Sequence, residues 1–77
     1  MKKMTVNVQL GMRIRYLRTK RKMSQEDLAL ESNVTKNYLS DVECGRRNPS
    51  VKILSRLAKG LHVDLSTLFL GVGDKNN

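Results

Sequence analysis

The chain has one cysteine, one proline and no tryptophan, and its only aromatic residues are Tyr16, Tyr38 and Phe69. A lone Cys44 excludes an intrachain disulfide and a zinc cluster built on cysteines, and an unpaired thiol fits a reducing cytoplasm. With so few aromatics, a core has to be assembled from Leu, Ile and Val. Acidic residues are also scarce, 7 Asp+Glu against 15 Lys+Arg, and the formal charge of +8 favours a polyanionic partner, nucleic acid before membrane. Long apolar runs are absent. The opening MKKMTVNVQLG has no apolar stretch after its lysines, so no signal peptide is expected, and no segment is long enough to cross a bilayer. A length of 77 residues gives one domain, enough for a single core of short helices and too short for a catalytic cleft between domains.

What the sequence does have is concentrated between Ser24 and Gly45, SQEDLALESNVTKNYLSDVECG, which reads as two short helices with a tight break. Ser24 is an N-cap, and Asp27 stands where the acid of a capping box sits. Leu28 and Ala29 give an apolar face that stops at Ser32-Asn33, and Asn accepts the left-handed backbone that ends a helix. Thr35 caps the next helix, in which Leu39 and Val42 fall on one face. Its other face carries Lys36, Asn37, Ser40 and Asp41, all hydrogen-bonding groups. A helix held by a thin apolar edge with such groups outward suits the reading of base edges.

Before this pair, Leu10, Ile14 and Leu17 define one face of a first helix, capped by Asn7 or Thr5 and running to about Lys22. Around it lie Arg13, Arg15, Arg18, Lys20, Arg21 and Lys22, either a solvated face or a source of phosphate attraction. After it, Gly45 is a helix stop followed by Arg46-Arg47-Asn48-Pro49, and two arginines beside a turn suit phosphate contacts. Ser50 caps a fourth helix with Leu54, Leu57, Ala58 and Leu61 buried and Gly60 at its C-terminal end. Asp64 or Ser66 caps a short fifth helix from Leu65 to about Leu70. Every apolar run has the helical period, so the fold class expected is all-α. Residues 1–6 are expected to be a flexible arm, 7–70 the domain, and 71–77 a frayed polar tail.

In this order and spacing, IRYLR (14–18), SQEDLA (24–29), VTKNYLSDVE (34–43), Gly45, NPS (48–50) and LSRLAKGLHVDLSTLF (54–69) resemble the helix-turn-helix domain of the phage lambda repressor and Cro family, often called XRE-like. The resemblance covers roughly Leu10 to Leu70, and the short form is also similar to the controller proteins of restriction–modification systems. It implies a compact five-helix bundle that binds double-stranded DNA as a homodimer and regulates transcription from a palindromic operator. Lys36 and Asn37 would reach base edges, with Ser40 and Asp41 one turn on: Ser40 would meet a base or a phosphate, and Asp41 would repel phosphate unless it met a cytosine amino group. Gln25, Thr35, Arg46, Arg47 and Asn48 would meet phosphates, Gln25 with the help of its helix dipole, and Tyr38 would either meet the DNA backbone or pack within the protein. Arg18 and Glu43 take the positions of a partly buried ion pair. Surplus apolar residues near the C-terminus, Val63, Leu65, Leu68 and Phe69, are the expected dimer seam. Two departures are Asn33, where the family usually has Gly, and Cys44, where a polar residue is commoner.

Other functions are weaker. An antitoxin or similar interaction module would use the same helices, since fold does not fix function. For an enzyme, His62 is the only histidine and has no partner pattern, while Glu26, Asp27 and Glu31 look like ordinary surface and capping acids. No phosphate-cradling glycine loop or metal-ligand spacing occurs, so neither cofactor, metal nor small-molecule effector is expected. Single-stranded RNA modules commonly stack bases on aromatics, of which this chain has few.

Overall fold

The computed structural model describes residues 4–73 as five helices: α1 (Val6–Lys20), α2 (Gln25–Ser32), α3 (Lys36–Glu43), α4 (Val51–Gly60) and α5 (Leu65–Leu68). Local chemistry sets most of the ends. Thr5, Ser24, Thr35, Ser50 and Asp64 each accept a hydrogen bond from a backbone N–H three residues on. At Ser24 the box is complete, because the Asp27 carboxylate accepts the Ser24 N–H at 2.9 Å. That backbone donor holds the Asp27 carboxyl below the ordinary carboxylate range, and the Thr67 N–H does the same for Asp64. Both folded values lie below the unfolded one, so these caps contribute above the ordinary pKa and are lost as pH falls through the lowered values.

α1 packs on α3 and α5, α2 on α3 and α4, and α4 on α5. Leu10, Ile14, Leu28, Leu39, Leu54, Leu57, Leu61 and Leu68 meet in one core, with the smaller Ala29, Val42 and Ala58 between them. The aliphatic core expected from the composition is the one observed. Several boundaries differ from the reading of the sequence. α1 begins inside the segment assigned to a flexible arm, because Thr5 rather than Asn7 caps it, and it ends at Lys20, with Lys22 at a φ of 57°. Residues 1–3 of that arm and 74–77 of the tail lie outside the described residues. Of the segment assigned to the tail, Val72 packs on the core and the Gly73 N–H donates to Gln9 Oε1 at 2.8 Å.

Gly60 ends α4, as its position in the sequence suggests, while the left-handed conformation beyond it falls to His62 at a φ of 60°. Gly60 is also buried against α2, where an added Cβ would lie 2.5 Å from Ser32 Oγ and 3.0 Å from Leu28 Cδ1. Its missing side chain lets α4 approach α2. Gly11 does the same between α1 and α3, but there an added Cβ would lie 2.6 Å from the Glu43 carbonyl oxygen and closer still to that of Val42. A side chain gives way; backbone does not. Ser32 Oγ also has no hydrogen-bond partner among the described residues, so its removal exacts little penalty.

These contacts rank three variants in chemical denaturation. Gly11→Ala should lose about 3 kcal/mol, at the upper end of overpacking costs. Gly60→Ala should lose about 1–2 kcal/mol, partly offset by the helix propensity of Ala, and adding Ser32→Ala should restore most of that loss. Equal losses in the two glycine variants, or no rescue by Ser32→Ala, would contradict the packing described.

Candidate nucleic-acid interface

α2 and α3 are joined by Asn33-Val34-Thr35, with Asn33 in the left-handed region (φ 57°, ψ 45°). The turn is held from α4: Arg56 Nε donates to the Ser32 carbonyl at 3.1 Å and Arg56 Nη2 donates to that of Asn33. These bonds satisfy carbonyls that the end of α2 leaves without helical partners. Reading the sequence missed Arg56, since one basic residue among Leu54 and Leu57 looks like a solvated position.

The relative placement of α1, α2 and α3 rests on Glu43. Its carboxylate accepts from Arg18 Nε at 2.6 Å, Arg18 Nη2 at 2.9 Å and Gln25 Nε2 at 3.0 Å. Arg18 Nη1 donates further to the Met23 carbonyl at 2.8 Å, in the segment between α1 and α2. The Arg18 side chain is 10% exposed and that of Glu43 only 3%, so each needs the other. The hydrogen-bonded carboxylate of Glu43 raises the pKa of Arg18. Gln25, assigned to phosphate from the sequence, therefore spends one amide N–H inside the protein and has one remaining.

On the outer surface of the pair, Lys36 and Asn37 are exposed at the start of α3, with Ser40 and Asp41 half-buried one turn later. Leu39 and Val42 hold the opposite edge in the core. Thr35 Oγ1 accepts the Tyr38 N–H at 3.0 Å, which leaves the hydroxyl proton free to donate outward. Arg46, Arg47 and Asn48 are exposed in the loop after α3. The Arg47 guanidinium lies 5.7 Å from the Tyr38 ring centre, a cation–π distance. Asp41 faces both arginines, Oδ1 at 3.4 Å from Arg46 Nη1 and Oδ2 at 3.5 Å from Arg47 Nε. Of the residues assigned to bases and phosphates, the structure thus brings Tyr38, Asp41, Arg46 and Arg47 into contact, whereas Gln25 is partly internal.

Elsewhere the sequence reading needs correcting. Leu68 is fully buried and belongs to the core, so it offers nothing to a dimer seam; Val63 and Leu65 are half-buried against the same core. Phe69 at 37% exposure and Leu70 at 67% remain at that end. The basic run on α1 is partly internal. Arg13 donates to the Thr67 carbonyl through Nε (3.2 Å) and Nη2 (3.0 Å), and Arg18 is taken by Glu43, leaving Arg15, Lys20, Arg21 and Lys22 exposed. Cys44 is exposed at the C-cap of α3. Among the described residues no group of His, Cys, Asp or Glu is placed to hold a metal ion, and no helix is long and apolar enough to cross a membrane.

Two short helices crossing at a left-handed turn, the second held by its inner edge and polar outside, define a helix-turn-helix, and the family model of that description matches residues 14–68. The chain belongs to the helix-turn-helix family. It is 41% identical over 63 residues to control protein C.BamHI of Bacillus amyloliquefaciens, covering 78% of each chain. Over 59 residues it is 37% identical to the immunity repressor of Bacillus phage phi105, covering 77% of this chain but only 41% of the repressor. Its fold superposes with a TM-score of 0.81 on the restriction–modification controller protein C.Esp1396I, solved as a tetramer in complex with its natural 35 base-pair operator, at 32% identity over 88% of this chain and 90% of that one.

The network at Glu43 is directly testable. Glu43→Ala strands the Arg18 guanidinium and should cost about 3–5 kcal/mol in urea unfolding, whereas joint replacement by Arg18→Met and Glu43→Leu should cost much less. A single variant no worse than the double would show that the pair is not buried in the way described.

Proposed function

We propose that this chain is a sequence-specific double-stranded DNA-binding transcriptional regulator, acting in the cytoplasm as a homodimer on a palindromic operator, in the manner of a restriction–modification controller. The observation that carries this reading is the outward face of α3, whose exposed Lys36 and Asn37 precede Ser40 on a helix anchored by Leu39 and Val42. An α-helix fits the major groove, where Lys donates to guanine O6 and N7 and Asn pairs with adenine N6 and N7. Flanking donors suit phosphates: the Thr35 hydroxyl, Tyr38, Arg46, Arg47, Asn48 and the second amide N–H of Gln25. Phosphate contacts fix the position of the protein, and base contacts select the sequence. The relative C.Esp1396I, solved on its operator as an assembly of several copies, supports the same reading for this chain.

One copy presents one reading helix. Two copies related by a twofold axis place their reading helices about 34–36 Å apart, one turn of duplex. Val63, Leu65 and Phe69, with the adjoining Leu70, form the seam of this dimer. With no effector pocket required, occupancy of the operator then follows from protein concentration.

Selection from random duplex DNA by the purified protein should recover an inverted repeat with half-sites about one turn apart. Lys36→Ala combined with Asn37→Ala should abolish the preference for that repeat while leaving thermal unfolding unchanged. Selection of no motif, or an unchanged preference in the double variant, would overturn the assignment of α3 as the reader.

A further inference from the structure

Among the polar residues of α3, Asp41 has the wrong charge for a surface that meets phosphate. The other carboxylate of the helix, Glu43, is buried against Arg18 and neutralised there. Asp41 is the outward one, and its neutralisation comes from the loop that follows: the Arg46 N–H donates to the Asp41 carbonyl at 2.9 Å, folding the chain back so that Arg46 and Arg47 both reach the carboxylate. The arginine side chains are 69% and 55% exposed, and that of Asp41 is 32% exposed. The carboxylate is thus the more enclosed member of the cluster and the guanidinium groups are the more solvent-accessible ones. Pairs this exposed hold weakly, so a phosphate competes readily for either arginine.

We propose that Asp41 sets DNA specificity by penalising the wrong duplex. This inference rests on the reading of α3 as the DNA-reading helix. In the free protein Arg46 and Arg47 satisfy the carboxylate. Docking draws the arginines to phosphates, and Asp41 is left facing the groove without its counter-charges. Where a base offers an amino donor, that of cytosine N4 foremost, the carboxylate accepts from it and the lost ion pairs are replaced. Where the groove offers only acceptors or a methyl group, Asp41 stays unpaired beside polyanionic backbone. Discrimination then comes from a repulsive element, which lowers affinity for unrelated duplex more than for the operator.

The test measures dissociation constants for the operator recovered by selection and for an unrelated duplex, by fluorescence anisotropy at two salt concentrations. It compares the wild-type chain with Asp41→Asn and Asp41→Ala, each first checked for an unchanged unfolding midpoint. Both variants should bind the unrelated duplex more tightly, and the ratio of specific to non-specific affinity should fall about tenfold, within the range of one base-pair discrimination. Because Arg46 and Arg47 meet phosphates in the wild-type complex as well, the salt dependence of binding to unrelated duplex should keep about the wild-type slope, the gain coming from the lost repulsion alone. Variants whose affinity ratio equals that of the wild type would overturn the proposal, leaving Asp41 as an ordinary surface ion pair. Loss of operator affinity with unrelated binding unchanged would also overturn it, making Asp41 a plain base contact. A wild-type chain that prefers no duplex over another fails the functional reading itself, which is a different result from either.

Discussion

One carboxylate, that of Glu43, fixes the geometry on which everything outward depends. It collects two donors from Arg18 on α1 and one from Gln25 on α2 while standing on α3, so three helices share a single buried anion. A buried ion pair adds little net stability compared with well-packed apolar residues, since desolvation offsets its attraction. What it supplies here is direction. Leucine contacts tolerate sliding, whereas a two-pronged guanidinium–carboxylate contact has one geometry. The angle at which α3 leaves the body, and hence the direction of Lys36 and Asn37, follows from that contact and from the left-handed turn at Asn33.

Around this anchor the small core is closed by missing atoms as much as by side chains. Gly11 lets the backbone of α3 lie against α1, and Gly60 lets α2 lie against α4. Arginines then tie down exposed ends from a distance: Arg56 holds the end of α2 and Arg13 holds the end of α5. A protein with a formal charge of +8 therefore uses part of its positive charge internally, on Glu43 and on helix carbonyls. The remainder lies on the surface, where a polyanion attracts it.

This division also explains what the sequence reveals and what it hides. The caps at Ser24, Thr35, Ser50 and Asp64 and the turn at Asn33 are set by neighbours within a few residues, so composition and spacing locate them. The buried faces of α1, α3 and α4 follow from periodicity alone. Pairings between remote residues do not. Arg13 and Thr67 are 54 positions apart and Arg56 and Ser32 are 24 apart, and in a basic chain either arginine looks like any solvated one. The packing role of Gly60 was hidden for the same reason, because a glycine near a helix end reads only as a stop until the neighbouring helix is in place. Leu68 shows the limit of periodicity: an apolar residue at the right spacing marks a buried face without saying whether the chain or a partner covers it. On the candidate interface, Lys36 and Asn37 stand out by type and position. The pairing of Asp41 with Arg46 and Arg47 needs the loop after α3 to be folded.

The central claim is that the face of α3 beside the Arg46–Asn48 loop is where duplex DNA lies. Amide chemical-shift mapping of isotopically labelled protein, titrated with its selected duplex, tests this residue by residue. Changes should concentrate at Thr35 to Asp41, at Arg46 to Asn48 and at the start of α2. The apolar groove lined by Met4, Met12, Tyr16 and Leu70 should be unaffected by the DNA itself. Shifts centred on that groove, with α3 silent, would contradict the account.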